Sequence, residues 1–118
     1  MESTTALSQS AALAQLSALA QENRLALFRL LIKAGPEGLP AGEIAAALGV
    51  PPNTLSAQLT LLSNAGLIEG TRQGRSIIYK AQHEAISGLI VFLMEDCCQG
   101  RSEICAPVLE AAQSRCCG

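Results

Sequence analysis

The segment AGEIAAALGVPPNTLSAQLTLLSNAG, residues 41–66, decides the fold. Ala41 to Leu48 reads as a short helix, with Ile44, Ala45 and Leu48 on its inner face. Gly49 is placed to cap it, because a glycine enters the left-handed conformation that ends many helices. Pro51-Pro52 follows, and proline is tolerated in the first turn of a new helix. That second helix is expected from about Asn53 to Ala65, with Gly66 as its stop. Leu55, Leu59 and Leu62 fall on one side of the helical wheel, and Asn53, Ser56, Ala57, Thr60 and Asn64 on the other.

Downstream, a hairpin is expected. Leu67, Ile68 and Glu69 lead in, and Ser76, Ile77, Ile78 and Tyr79 lead out. Gln73-Gly74 is the expected turn, flanked by Arg72 and Arg75. Upstream, residues 1–10 read as a loose polar arm. A helix over Ala11 to Ala20 follows, where Leu13, Leu16 and Ala20 recur at helical spacing. Another spans Asn23 to Ala34 with Leu27, Leu30 and Leu31 as its inner stripe, and Gly35-Pro36 stops it. The last long helix is expected from Gln82 through Ile86, Leu89, Ile90 and Leu93 to Asp96. Gly100 interrupts the pattern, and Glu103 to Ser114 reads as a final short helix with Pro107 in its first turn.

This order predicts a mainly α fold with a small β-hairpin, a winged helix-turn-helix. Residues 11–96 are its DNA-binding and dimerisation domain, and residues 97–118 a cysteine-rich segment. A helix with small polar side chains on its outer face fits a major groove and hydrogen-bonds base edges. A basic hairpin tip reaches phosphates or the minor groove. From the wheel alone Asn53, Ser56 and Thr60 are the best groove candidates, and Arg72 and Arg75 the best phosphate candidates. The expected DNA-contact set also takes in Thr54, Ala57, Gln73 and Gln58, the last of which the wheel puts at the edge of the apolar stripe.

Composition agrees. The chain has 118 residues, enough for one domain whose stability a dimer would help. Of these, 49% are apolar, which excludes global disorder. Phe28, Tyr79 and Phe92 are the whole aromatic set, so the core is built from Leu, Ile, Val and Ala. A formal net charge of −2 argues against a general nucleic-acid binder, but the distribution is uneven. Between Val50 and Ala81 the only acid is Glu69, against Arg72, Arg75 and Lys80. From Glu95 onward acids outnumber bases. The longest apolar run, Leu89 to Met94, is far short of the roughly 20 residues that span a membrane. The first basic residue is Arg24, so no secretory signal is read, and a cytoplasmic protein without a membrane partner is expected.

Catalysis has little material. The chain holds one His (His83) and one Asp (Asp96), too few for a nucleophile–His–Asp triad beside other roles. No glycine-rich phosphate loop is present. A thiol phosphatase or arsenate reductase wants Arg six residues after Cys, and those offsets from Cys97 and Cys98 hold Glu103 and Ile104. A non-enzyme is expected.

Three stretches resemble the ArsR/SmtB repressors. They are AQENRLALFRLL at residues 20–31, NTLSAQLTLL at residues 53–62, and Ala65-Gly66-Leu67-Ile68 followed by Gly74-Arg75 before Ile78-Tyr79. The resemblance runs from Ala11 to Leu93. It implies a homodimer held by the first and last helices, bound to an inverted-repeat operator in double-stranded DNA and released by an inducer. The family usually has His where this chain has Gln58; Gln still donates and accepts hydrogen bonds, so base contact is retained as an expectation.

The inducer is read from the cysteines. All five lie in the last fifth of the chain, as Cys97-Cys98, Cys105 and Cys116-Cys117. The odd number and adjacent pairs make a poor disulfide framework. Cys97, Cys98 and Cys105 offer three soft thiolates. Trivalent arsenic, as arsenite or an organoarsenical, takes three sulfurs in a pyramid, whereas zinc prefers four tetrahedral ligands. The same thiolates also suit cadmium, lead or antimony, or a thiol-redox switch. Resemblance adds that some arsenic-responsive members carry such a cluster at the end of the last long helix. The family's other arsenic pattern is absent, since Glu43 to Leu48 holds no Cys. The family's zinc site on the last helix is missing too, because His83 stands alone. Residues seven or eight apart on an unbroken helix lie about 10–12 Å apart along its axis. The chain must therefore fold back, and Gln99-Gly100 is where it can.

Overall fold

A computed structural model describes residues 7–94 together with Pro107, Glu110 and Ala111. Helix α1 (Gln9–Leu19) leads to α2 (Glu22–Ala34), and a 3-10 turn over Gly35–Glu37 ends at a short strand β1 (Leu39–Pro40). Helices α3 (Ala41–Leu48) and α4 (Pro52–Asn64) follow, then strands β2 (Ile68–Gln73) and β3 (Ser76–Ala81), then helix α5 (His83–Met94). The three strands form an antiparallel sheet in the order β1-β3-β2. The fold is the winged helix-turn-helix expected from the sequence.

The punctuation works as read. Gly49 sits in the left-handed region (φ 67°, ψ 35°) and its N–H donates to the Ala45 carbonyl, closing α3. Pro52 opens α4 at its first helical position, where no intrahelical N–H is needed. Gly66 (φ 80°) turns the chain out of α4 into the hairpin.

The core forms where α2, α3 and α4 meet the base of the sheet. Leu27, Leu31, Ile44, Leu62 and Leu67 are fully buried, joined by Phe28, Leu55, Leu59, Ile68 and Ala81. Each such Leu or Ile removed from water contributes about 1.5–3 kcal/mol before entropy is counted. Leu30, Ala45 and Leu48, expected on inner faces, are half-buried at its margin.

Four differences from expectation have local causes. First, α1 begins at Gln9 because the Ser8 hydroxyl accepts from the Ala11 N–H at 3.1 Å, capping the helix. Second, the Leu13–Leu16–Ala20 stripe faces outward; the inner face of α1 is Ala12, Gln15 and Ala18, and its two alanines let the helix lie close. Third, β1 was not foreseen. It is two residues long, and its Pro40 suits an edge strand, where the missing N–H costs nothing. Fourth, Gln73 belongs to the strand and pairs with Ser76, so the turn is Gly74-Arg75. Gly74 takes φ 63° as the first residue of a two-residue loop, a geometry glycine supplies without strain.

The last helix starts at His83, one residue later than expected, and is described to Met94. Of the expected helix over Glu103 to Ser114, Pro107, Glu110 and Ala111 are described, and all three are helical. Glu95, Asp96 and Gly100 lie outside the described residues.

Candidate nucleic-acid interface

Helix α4 has two distinct faces. Leu55, Leu59 and Leu62 point into the core, while Asn53, Thr54, Ser56, Ala57 and Thr60 are exposed, as the wheel predicts. Thirteen residues make a rod about 20 Å long, enough to cross a major groove about 12 Å wide. No charged residue lies in α4, so its outer face offers hydrogen-bonding groups and shape rather than charge.

Two side chains change meaning in three dimensions. The Thr60 hydroxyl donates to the Ser56 carbonyl at 3.0 Å. It is left as an acceptor, fit for an exocyclic amino group of adenine or cytosine. Gln58 departs from the expected contact set. It is only 7% exposed and lies on the inner side of α4 with Leu55, Leu59 and Leu62. A 100° step per residue carries position 58 round to the apolar side, so in this protomer its amide does not reach a groove.

The hairpin stands beside this helix as the wing. Every residue from Glu69 to Ile77 is exposed, including Arg72, Gln73 and Arg75. Arg72 pairs in register with Ile77, and Gln73 with Ser76, so Arg75 occupies the tip. Among the described residues neither arginine takes part in an ion pair. The hairpin's one acid, Glu69, lies at the base and accepts from Gln82 Nε2 at 3.3 Å.

Wing and helix are joined by a cleft of about 380 Å³, lined by Gly42 of α3, Ser56 and Leu59 of α4, and Arg75, Ile77 and Tyr79 of the wing. Gly70 lets the wing lie flat there: it pairs with Tyr79, and a Cβ at position 70 would stand 2.8 Å from the Tyr79 ring. Ser56 and Arg75 line the same cleft, so one surface presents both a neutral polar helix and arginines without an ion-pair partner among the described residues.

Cys97, Cys98 and Cys105, the expected ion ligands, lie outside the described residues, as do Cys116 and Cys117. Among the described residues no group of three His, Cys, Asp or Glu is placed to hold a metal. His83 is exposed at the start of α5. No helix among the described residues is long and apolar enough to cross a membrane.

The two helices that the family resemblance implies hold the dimer carry an exposed apolar surface. Leu13 and Leu16 on α1, and Ile90, Val91 and Leu93 on α5, are 38–58% exposed, and the two helices touch. The signal was present as large apolar residues at helical spacing. The wheel shows that a stripe exists, not whether its partner belongs to the same chain.

A helix-turn-helix with its second helix outward-facing and a two-stranded basic wing at its flank defines the winged helix-turn-helix class of regulators. A family model described as a helix-turn-helix domain matches residues 19–71. The HTH-type transcriptional regulator YgaV of Escherichia coli (strain K12) is 30% identical over 72 residues, covering 61% of this chain and 73% of that protein. The HTH-type transcriptional regulator NmtR of Mycobacterium tuberculosis is 39% identical over 59 residues, covering 50% of this chain. The match spans about half, 48%, of NmtR's length. Among solved structures, the homodimeric winged helix-turn-helix domain of Mb0332 from Mycobacterium bovis, a possible ArsR-family regulator, is 28% identical, with a TM-score of 0.59 over 74% of this chain and 80% of that one. An ArsR-like transcriptional regulator from Rhodococcus sp. RHA1 shares the fold at 22% identity, with a TM-score of 0.65 over 90% of this chain and 93% of that one. The chain belongs to the ArsR/SmtB family of winged-helix transcriptional regulators.

Proposed function

We propose that this regulator is a homodimeric repressor that binds operator DNA and is released when Cys97, Cys98 and Cys105 bind trivalent arsenic. The observation that carries the DNA reading is the single surface formed by the uncharged outer face of α4 and by Arg72 and Arg75, which have no ion-pair partner among the described residues. Helix α4 reads base edges through Asn53, Thr54, Ser56 and Thr60, with Ala57 available to a thymine methyl. The wing supplies charge to phosphates, with Gln73 beside it.

The exposed leucines of α1 and the Ile90–Val91–Leu93 face of α5 support the dimer, because a small domain rarely leaves so many large apolar side chains in water. Mb0332 is described as homodimeric. The inducer reading rests on donor chemistry: three thiolates form a soft set, and bound arsenic would supply the bonds that tie them together. In the sequence Cys97 follows Met94, the last residue of α5, by three positions, and α5 carries the apolar face that we assign to the dimer. An ion bound by these thiolates would favour one arrangement of the two protomers over another, and DNA affinity would fall by that preference.

The test is a titration of the preformed protein–DNA complex with arsenite, an organic trivalent arsenical, antimonite, cadmium and zinc, following release. Arsenite or the organic arsenical is expected to release the DNA at the lowest concentrations. Arsenite and organic arsenical that both saturate the thiols and leave the complex intact overturn the inducer assignment. Earlier release by cadmium or antimonite reassigns the site to that ion.

A further inference from the structure

We propose that Gln15 and Gln58 are positioning residues through which α1 sets the seat of the recognition helix α4. They are the two buried polar side chains among the described residues, 6% and 7% exposed, and the Oε1 atom of each is buried without a hydrogen-bond partner. They stand on helices that pack against each other. Gln15 sits between Ala12 and Ala18 on the inner face of α1, and Gln58 among Leu55, Leu59 and Leu62 on that of α4.

A buried carbonyl oxygen without a donor destabilises the fold, and an apolar side chain of similar size would remove the penalty. Two such atoms on one pair of packed helices is a local conflict of the kind that marks function rather than packing. The joint also has room. A cleft of about 300 Å³ lies between α1 and α4, lined by Ala14, Ser17, Leu61 and Asn64 among others. The C-terminal end of α1 is anchored instead to α2, where Arg24 Nε donates to the Ala18 carbonyl at 2.6 Å. Helix α1 is thus tied to α2 at that end, while the face it buries mixes Gln15 with the small Ala12 and Ala18.

The consequence is mechanical. The seat of α4 in this protomer leaves both Oε1 atoms without a donor among the described residues. Ser17 and Asn64, which line the cleft, carry donor groups that a small displacement would bring toward them. We assign the DNA-bound protein that second seat. Because α1 also carries the exposed Leu13 and Leu16, the state of the dimer surface reaches the recognition helix through the same joint. The inference rests on the reading of α4 as the DNA-contacting helix.

The experiment uses the full chain and a duplex selected by the wild-type protein from a random-sequence pool. Gln58→Leu and Gln15→Leu are each expected to raise Tm, leave the salt slope of binding unchanged, and weaken binding to the selected duplex by at least about fivefold; the double variant is expected to lose less than the product of the two. Gln58→His, which keeps a hydrogen-bonding group, is expected to recover most of the affinity. Gln15 lies on a different helix from the base-reading face, so Gln15→Leu tests the joint even if Gln58→Leu fails to fold. Leu variants that bind as wild type, or that lose Tm and affinity together, overturn the inference while leaving the DNA reading standing. A wild-type chain that selects no duplex removes both.

Discussion

Replacing Arg75 by Ala removes one cation from the tip of each wing without touching the core. Arg75 is exposed, has no ion-pair partner among the described residues, and follows Gly74 in a two-residue loop. No packing is lost, so the thermal midpoint is expected to stay within about 1–2 °C. In DNA binding, each phosphate contact releases counterions and contributes about 0.9 to the slope of log K against log salt. A dimer carries two copies, so Arg75→Ala should flatten the slope by about 1.8. Between 50 and 200 mM salt, the wild type should then lose about tenfold more affinity than the variant. The assay is fluorescence anisotropy with a labelled duplex across a salt series. Ser56→Ala serves as the contrasting variant. It should weaken binding to the preferred sequence by about 1–3 kcal/mol and leave the slope alone. An Arg75→Ala slope equal to that of wild type would take the wing tip out of the phosphate contacts and refute this reasoning.

Three further outcomes follow from the same structure. Cys105→Ser is expected to keep DNA binding and lose arsenite-induced release, measured in the same anisotropy assay; loss of DNA binding instead would assign the cysteine a structural role. Leu13→Glu combined with Leu16→Glu places charge on the outward face of α1 and is expected to yield monomers in sedimentation with the fold retained by circular dichroism; an unchanged dimer would move the interface elsewhere. Gly70→Ala forces a Cβ to within 2.8 Å of the Tyr79 ring. It is expected to cost about 1–3 kcal/mol in denaturant unfolding, as overpacking does, with a null result meaning that the ring moves freely.

The recognition module was legible because its signals are local. Gly49, Pro52 and Gly66 mark the helix ends by backbone geometry alone, and Leu55, Leu59 and Leu62 show which side of α4 is inward. Other features depend on neighbours distant in sequence. In the Ala- and Leu-rich α1, apolar residues lie all round the helix, so periodicity finds a stripe at Leu13 and Leu16 without saying that the smaller Ala12 and Ala18 go inward. Strand β1 is too short for alternation to register and exists through its pairing with Ile78 and Tyr79. Gln58 sits at the edge of the apolar stripe, where family resemblance favoured an outward reading and the packing of α4 turned it in. The hairpin turn moved by one residue because a strand pattern alone does not distinguish a paired Gln73 from a looped one.

The most direct test of the account is selection of duplexes by the full chain from a random-sequence pool. The account predicts enrichment of an inverted repeat whose half-sites lie about 10–10.5 base pairs apart, or a multiple of that, as two outward-facing recognition helices on a symmetric dimer require. Footprinting on the enriched sequence should protect both half-sites equally. A pool that emerges without a preferred sequence, retained only by salt-sensitive binding, contradicts the claim that α4 reads base edges.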